Sequence, residues 1–122
     1  MARILVVDDE PDICELLREI LEGAGHEVRV ASEGAGALRA LREHPADLLI
    51  TDIFMPGKEG LETIMEIRRD FPQVRVVAMS GGGRTGELNY LRDAVQLGAT
   101  RSITKPFQES EVLRVVRDTL GA

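Results

Sequence analysis

Residues 4–23 read ILVVDDEPDICELLREILEG, and their order decides the fold. Ile4 to Val7 is a short unbroken apolar run, the pattern of a strand covered on both faces. It runs straight into Asp8, Asp9 and Glu10. Pro11 suits a first helical turn, Ile13, Leu16, Leu17, Ile20 and Leu21 recur at helical spacing, and Gly23 suits a C-terminal cap. A buried strand leading through three acids into an amphipathic helix is a βα unit. The acids raise the functional question. Adjacent like charges repel, and solvent, a helix start or a bound cation must offset the repulsion.

The same alternation continues down the chain. EVRVA (27–31) alternates as a strand, and Ser32 is placed to cap a helix carrying Ala37, Leu38 and Leu41 that Pro45 ends. DLLIT (47–51) is a third strand, stopping at Asp52. MPGKEG (55–60) is turn-rich, and 61–70 is helical with Leu61, Ile64 and Met65 on one face. VRVVAM (74–79) is the fourth strand, SGGGRTG (80–86) a glycine-rich loop and 87–98 a helix with Leu88, Leu91 and Val95 aligned. RSIT (101–104) is the fifth strand, and a last helix covers 109–120. Five strand–helix units in strict alternation predict a single α/β domain over 1–122, a five-stranded parallel sheet with helices on both faces.

Composition bounds the function. At 122 residues, 43% hydrophobic and 30% charged, the chain suits a globular domain with a real core. The net charge of −6 disfavours direct nucleic-acid binding, which needs a basic patch. No apolar run nears the roughly 20 residues of a membrane span, and no leader for export is recognisable. The one cysteine, Cys14, excludes an internal disulfide and fits a reducing cytoplasm; a half-buried place beside a helix face is expected for it. His26 and His44 read as surface residues near helix ends.

Parallel sheets of this kind bind ligands beyond the carboxyl ends of their strands, where strand order reverses. The strands end in Asp8 and Asp9, in Ala31 and Ser32, in Asp52, in Ser80 and in Lys105. Three carboxylates sharing one rim would raise at least one pKa. A hard divalent cation resolves that, and Mg²⁺ takes such oxygen ligands, whereas a rim without His or Cys argues against zinc. Of the 15 basic residues only Lys58 and Lys105 are lysines. A lysine kept at a strand end suits a compact point charge facing a phosphoryl oxygen. A cation, an ammonium and the Ser80 hydroxyl around one carboxylate suit phosphoryl transfer onto that carboxylate.

DDE at 8–10, D-x-x-M-P at 52–56, S-G at 80–81 and K-P-F at 105–107 together resemble the receiver domain of bacterial two-component response regulators, across essentially the whole chain. The resemblance implies a flavodoxin-like sheet of order 2-1-3-4-5. It implies Asp52 as acceptor of a phosphoryl group from a sensor histidine kinase or phosphotransfer protein. Asp9, Asp52 and the backbone carbonyl of Phe54 would hold Mg²⁺ directly, with Asp8 acting partly through water. Lys105 and Ser80 would contact the phosphoryl oxygens, and the Lys105–Pro106 bond would be cis. The chain would be a switch rather than an enzyme, limited to its own phosphorylation and slow dephosphorylation. Its output face would be the helix at 87–98, the strand at 101–104 and the helix at 109–120, open to a homodimer partner or an effector.

Three departures from that pattern stand out. Ser102 occupies the position, three before the lysine, where the family usually carries an aromatic ring. The 80–86 loop is about three residues longer than usual and glycine-rich. Phe54, large and apolar, lies two residues beyond the acceptor, where it is expected to screen a phosphoryl group from water. Gly81, Gly83 and Gly86 match G-x-G-x-x-G, but after the fourth strand and without an acid near 100 or 101. An aspartate-nucleophile phosphatase would need D-x-D at the first strand, where this chain has D-D-E. A phosphate-independent binding module of the same fold is the remaining alternative.

Overall fold

The computed structural model describes residues 1–53, 60–81, 99 and 101–121, and side chains at all of these but 60, 61, 80 and 81. The predicted helix at 87–98, residues 55–59 of the turn-rich 55–60 stretch, most of the glycine loop, Thr100 and Phe54 lie outside the described residues, and Gly60 opens a helix rather than closing a turn.

Strands β1 (Arg3–Val7), β2 (Glu27–Ala31), β3 (Leu48–Asp52), β4 (Arg75–Gly81) and β5 (Arg101–Lys105) form one parallel sheet in the order β2-β1-β3-β4-β5. This is the predicted topology. Helices α1 (Pro11–Gly23), α2 (Gly34–Glu43), α3 (Gly60–Asp70) and α4 (Glu109–Gly121) accompany it. Strand parity divides the core in two. Ile4, Val6, Leu48, Ile50, Val77, Met79 and Ile103 pack with α1 and α4. Leu5, Val7, Leu49, Val76 and Ala78 pack with α2 and α3 on the other face. A period of two along each strand puts neighbouring apolar residues on opposite faces, so unbroken runs such as ILVV serve both layers at once.

Several local expectations are corrected. Helix α1 runs through Gly23, and Gly25, with φ 93, takes the left-handed turn instead. Ser32 is not the cap of α2, which begins at Gly34 behind Glu33 and has no side-chain cap. Leu16 and Met65, placed on buried faces by spacing, are 44% and 52% exposed, while Cys14 and Ile67 are buried in the two layers. A helix on a sheet buries a narrow stripe, and residues one position off it stay wet. His26 is half-buried, its Nδ1 accepting the Ala2 N–H at 3.1 Å. Arg75 caps the far end of α4, its guanidinium donating to the Leu120 carbonyl at 2.8 Å.

Candidate functional site

The site begins with parity. Asp8 is in phase with Ile4 and Val6, Asp52 with Leu48 and Ile50, and Lys105 with Ile103, all members of the core beneath α1 and α4. Each strand therefore delivers its last polar side chain to the same face of the sheet. The register then aligns the tips: Val7 lies beside Thr51, Thr51 beside Ala78, and Gly81 beside Lys105.

Lys105 joins them. Its Nζ donates to Asp8 Oδ2 at 2.7 Å and to Asp52 Oδ2 at 3.2 Å, with Glu10 Oε2 further off at 3.9 Å. Asp8 is 1% exposed and Asp52 5%, so both carboxylates are out of bulk water, whereas Asp9 is exposed at the mouth. One oxygen from each of Asp8, Asp9 and Asp52 lies within 4.8 Å of the others. The Lys105–Pro106 peptide bond is cis, as the resemblance implies.

The surroundings hold these groups in place. The backbone N–H of Asp8 donates to the Ala31 carbonyl at the end of β2, at 3.1 Å. Asp8 Oδ1 accepts the Glu10 N–H at 2.9 Å, a side-chain turn that fixes the acid pair. The Cys14 thiol donates to the Asp8 carbonyl at 3.3 Å, and the buried Thr51 hydroxyl to the Asp52 carbonyl at 3.1 Å. Neither side chain has an expected role from sequence. Thr51 carried one signal, a hydroxyl inside the apolar LLITD stretch. Cys14 carried none beyond lying in the first turns after the acids.

Electrostatics follow from burial. Burial, more than any neighbour, pushes the Asp8 carboxyl above its usual range; hydrogen bonds from Lys105 and the Glu10 N–H pull against it, and the charge on Asp52 adds the smallest push. Repulsion between acids, the cause expected from sequence, is thus the minor one. For Lys105 burial is again the largest single influence and lowers the pKa, but the bond to Asp8 and the charges of Asp52 and Asp8 together outweigh it and hold the ammonium above its ordinary value. Burial and then the Asp8 charge keep the Cys14 thiol protonated, as a donor must be.

Asp8, Asp9, Asp52 and Lys105 are brought together as predicted. Ser80 stands in β4 opposite Thr104, with its side chain outside the described residues, as is Phe54. Ser102 is exposed on β5 opposite Ala78. The donor set fits a hard cation: all oxygens, anionic, and within 4.8 Å of one another. No described helix is long and apolar enough to cross a membrane.

The response regulator receiver domain family matches residues 4–117. The chemotaxis protein CheY of Bacillus subtilis is 37% identical over 120 residues, 98% of each chain. The transcriptional regulatory protein KdpE of Mycobacterium tuberculosis is 38% identical over 117 residues, and there this chain spans 50% of the relative's length. The crystal structure of the receiver domain of NtrX from Brucella abortus superimposes with a TM-score of 0.92 at 36% identity, covering 98% of both chains.

Proposed function

The chain belongs to the response regulator receiver domain family, and from that premise we propose that Asp52 accepts a phosphoryl group from a phosphohistidine on a sensor histidine kinase or phosphotransfer protein. One observation carries this reading: a single ammonium held between two buried carboxylates, Asp8 just beyond β1 and Asp52 at the end of β3, at one rim of the sheet.

In the proposed reaction an oxygen of Asp52 attacks phosphorus. The P–N bond to the donor imidazole breaks, and the nitrogen leaves with the bonding electron pair. Asp8, Asp9, Asp52 and the Phe54 backbone carbonyl would hold Mg²⁺, Asp8 partly through water. When bound, the ion neutralises charge on the phosphoryl oxygens. Lys105, already 3.2 Å from Asp52, is placed to turn from the carboxylates to a phosphoryl oxygen, with the Ser80 hydroxyl as second donor. Phe54 screens the acyl phosphate from water and slows its loss. The chain is thus a switch that promotes its own modification and slow reversal, working in the cytoplasm without direct contact with nucleic acid or membrane.

The modification adds roughly two negative charges at Asp52. Drawing Lys105 and Ser80 inward biases the face built from residues 87–98, β5 and α4, which a second copy, an effector or another phosphotransfer protein reads. With Ser102 exposed in β5, no ring at that position reports the change. Acetyl phosphate with Mg²⁺, followed by intact mass, tests the core of this reading. A gain of one phosphate that Asp52→Ala abolishes is expected. An unmodified chain would favour a phosphate-independent module, and steady turnover of a generic phosphate ester would favour a phosphatase.

A further inference from the structure

β2 is an outer strand: among the described residues it pairs with β1 alone. The Glu27 N–H donates to the Ala2 carbonyl, and the Ala31 carbonyl accepts from Asp8, so residues 27, 29 and 31 direct their backbone groups inward. Alternation then turns the N–H and C=O of Val28 and Val30 outward. EVRVA contains no Pro and no interruption of its five-residue pairing with β1, so its edge protection rests on the charges of Glu27 and Arg29. A cavity flanks the strand on each face, about 310 Å³ beside Glu27 and Arg29 and about 280 Å³ beside Val30 and Ala31. Val28 is buried beneath α1, but Val30 toward the end of the strand is 42% exposed.

The charges select one way for this edge to pair with itself. Antiparallel pairing through the outward groups can centre on Val28, Arg29 or Val30. Centred on Arg29, the two guanidinium groups oppose each other. Centred on Val30, Glu27 faces Glu33 of the partner subunit. Centred on Val28, Glu27 faces Arg29 of the partner subunit twice by symmetry, in the closer-set, non-hydrogen-bonded positions, while the two Val28 backbones exchange both hydrogen bonds. Arg29 has no hydrogen bond or ion pair among the described residues. Glu27 has only an exposed contact to Arg3 at 3.5 Å, which is readily exchanged.

We propose that this chain self-associates through β2, antiparallel about Val28, joining two five-stranded sheets into one across a two-fold axis. The contact lies on the sheet edge, does not involve the output face, and requires no phosphoryl chemistry.

Sedimentation velocity over a concentration series, with amide hydrogen exchange at each end of it, tests the pairing. A dimer is expected whose formation slows exchange at Val28 and Val30 and leaves Glu27 and Arg29 as they were. Arg29→Glu and Glu27→Arg each set like charges opposite one another twice and raise the dissociation constant by about tenfold. The double swap restores it to within about threefold. Thermal melts of the variants confirm that they fold. A monomer at every concentration, a dimer whose 28 and 30 amides still exchange freely, or a double swap as weak as the single changes would each overturn the proposal.

Discussion

Replacing Lys105 by Met keeps the aliphatic stem and removes the charge. Its Nζ sits 2.7 Å from Asp8 and 3.2 Å from Asp52, with the three side chains 16%, 0% and 8% exposed. At an effective dielectric of about 20, those two attractions are worth about 6 and about 5 kcal/mol before desolvation, which offsets most of them. Two further arguments bound the net loss. Removing one partner of a buried ion pair costs about 3–5 kcal/mol. The site can also escape by protonating a carboxylate. From the ordinary 3.8 of Asp8, doing so at pH 7 costs about 4 kcal/mol at about 1.4 kcal/mol per pH unit. We therefore expect Lys105→Met to lose about 3–4 kcal/mol at pH 7 without Mg²⁺. The loss has a definite pH dependence. A carboxyl whose folded pKa is raised contributes full stability below its unfolded value and loses it as pH rises through the folded value. Without the ammonium, Asp8 shifts further in that direction. The difference between variant and parent should thus be small near pH 4 and grow toward pH 7. Urea unfolding at several pH values, in chelator and in millimolar Mg²⁺, measures both effects. Mg²⁺ should recover more stability in the variant than in the parent, because it replaces a missing counter-charge. A deficit that is constant with pH and indifferent to Mg²⁺ would mean that Lys105 acts by packing alone.

Three other outcomes are expected. Mg²⁺ at one hundred times its dissociation constant should stabilise the chain by about 2.7 kcal/mol in thermal melts, an increment that Asp9→Asn, at the exposed mouth of the site, largely removes. Ile50→Ala, wholly buried in the central strand, should lose about 2–5 kcal/mol by urea titration without altering the phosphate:protein stoichiometry read by mass. Burial, then the nearby N-terminal charge, holds His26 below its ordinary 6.5, so its contribution to stability is present above pH 6.5 and lost as pH falls from there through the folded value; His26→Gln should flatten that limb of the stability profile.

Much of this was legible before any coordinates. Unbroken apolar runs alternating with 3.6-period segments fixed the class, and the residues closing each run located the rim. Parity would have gone further. Counting by twos from Ile4 and from Leu48 puts Asp8 and Asp52 in phase with the layer beneath α1 and α4, but both faces of the sheet are covered, so parity alone does not decide which of Asp8 and Asp9 is buried. Other features depend on three-dimensional fit. Gly23 and Gly25 are equal candidates by residue type, and only the path into β2 decides which turns left-handed. Leu16 and Met65 fit the helical period but lie beyond the stripe that the sheet covers. The leading role of burial in Asp8 could not be read from charges alone, because it depends on what packs around the strand tip.

The division of the apolar interior by strand parity carries a consequence for sequence drift. Ile4 and Leu5 are covalent neighbours, yet they belong to separate oil drops on opposite sides of a hydrogen-bonded partition. A swap of methyl groups beneath α2 and α3 can be absorbed there without disturbing the compartment whose upper rim carries Asp8, Asp52 and Lys105. One half of the molecule is thereby free to explore new packing while the other keeps its chemistry still.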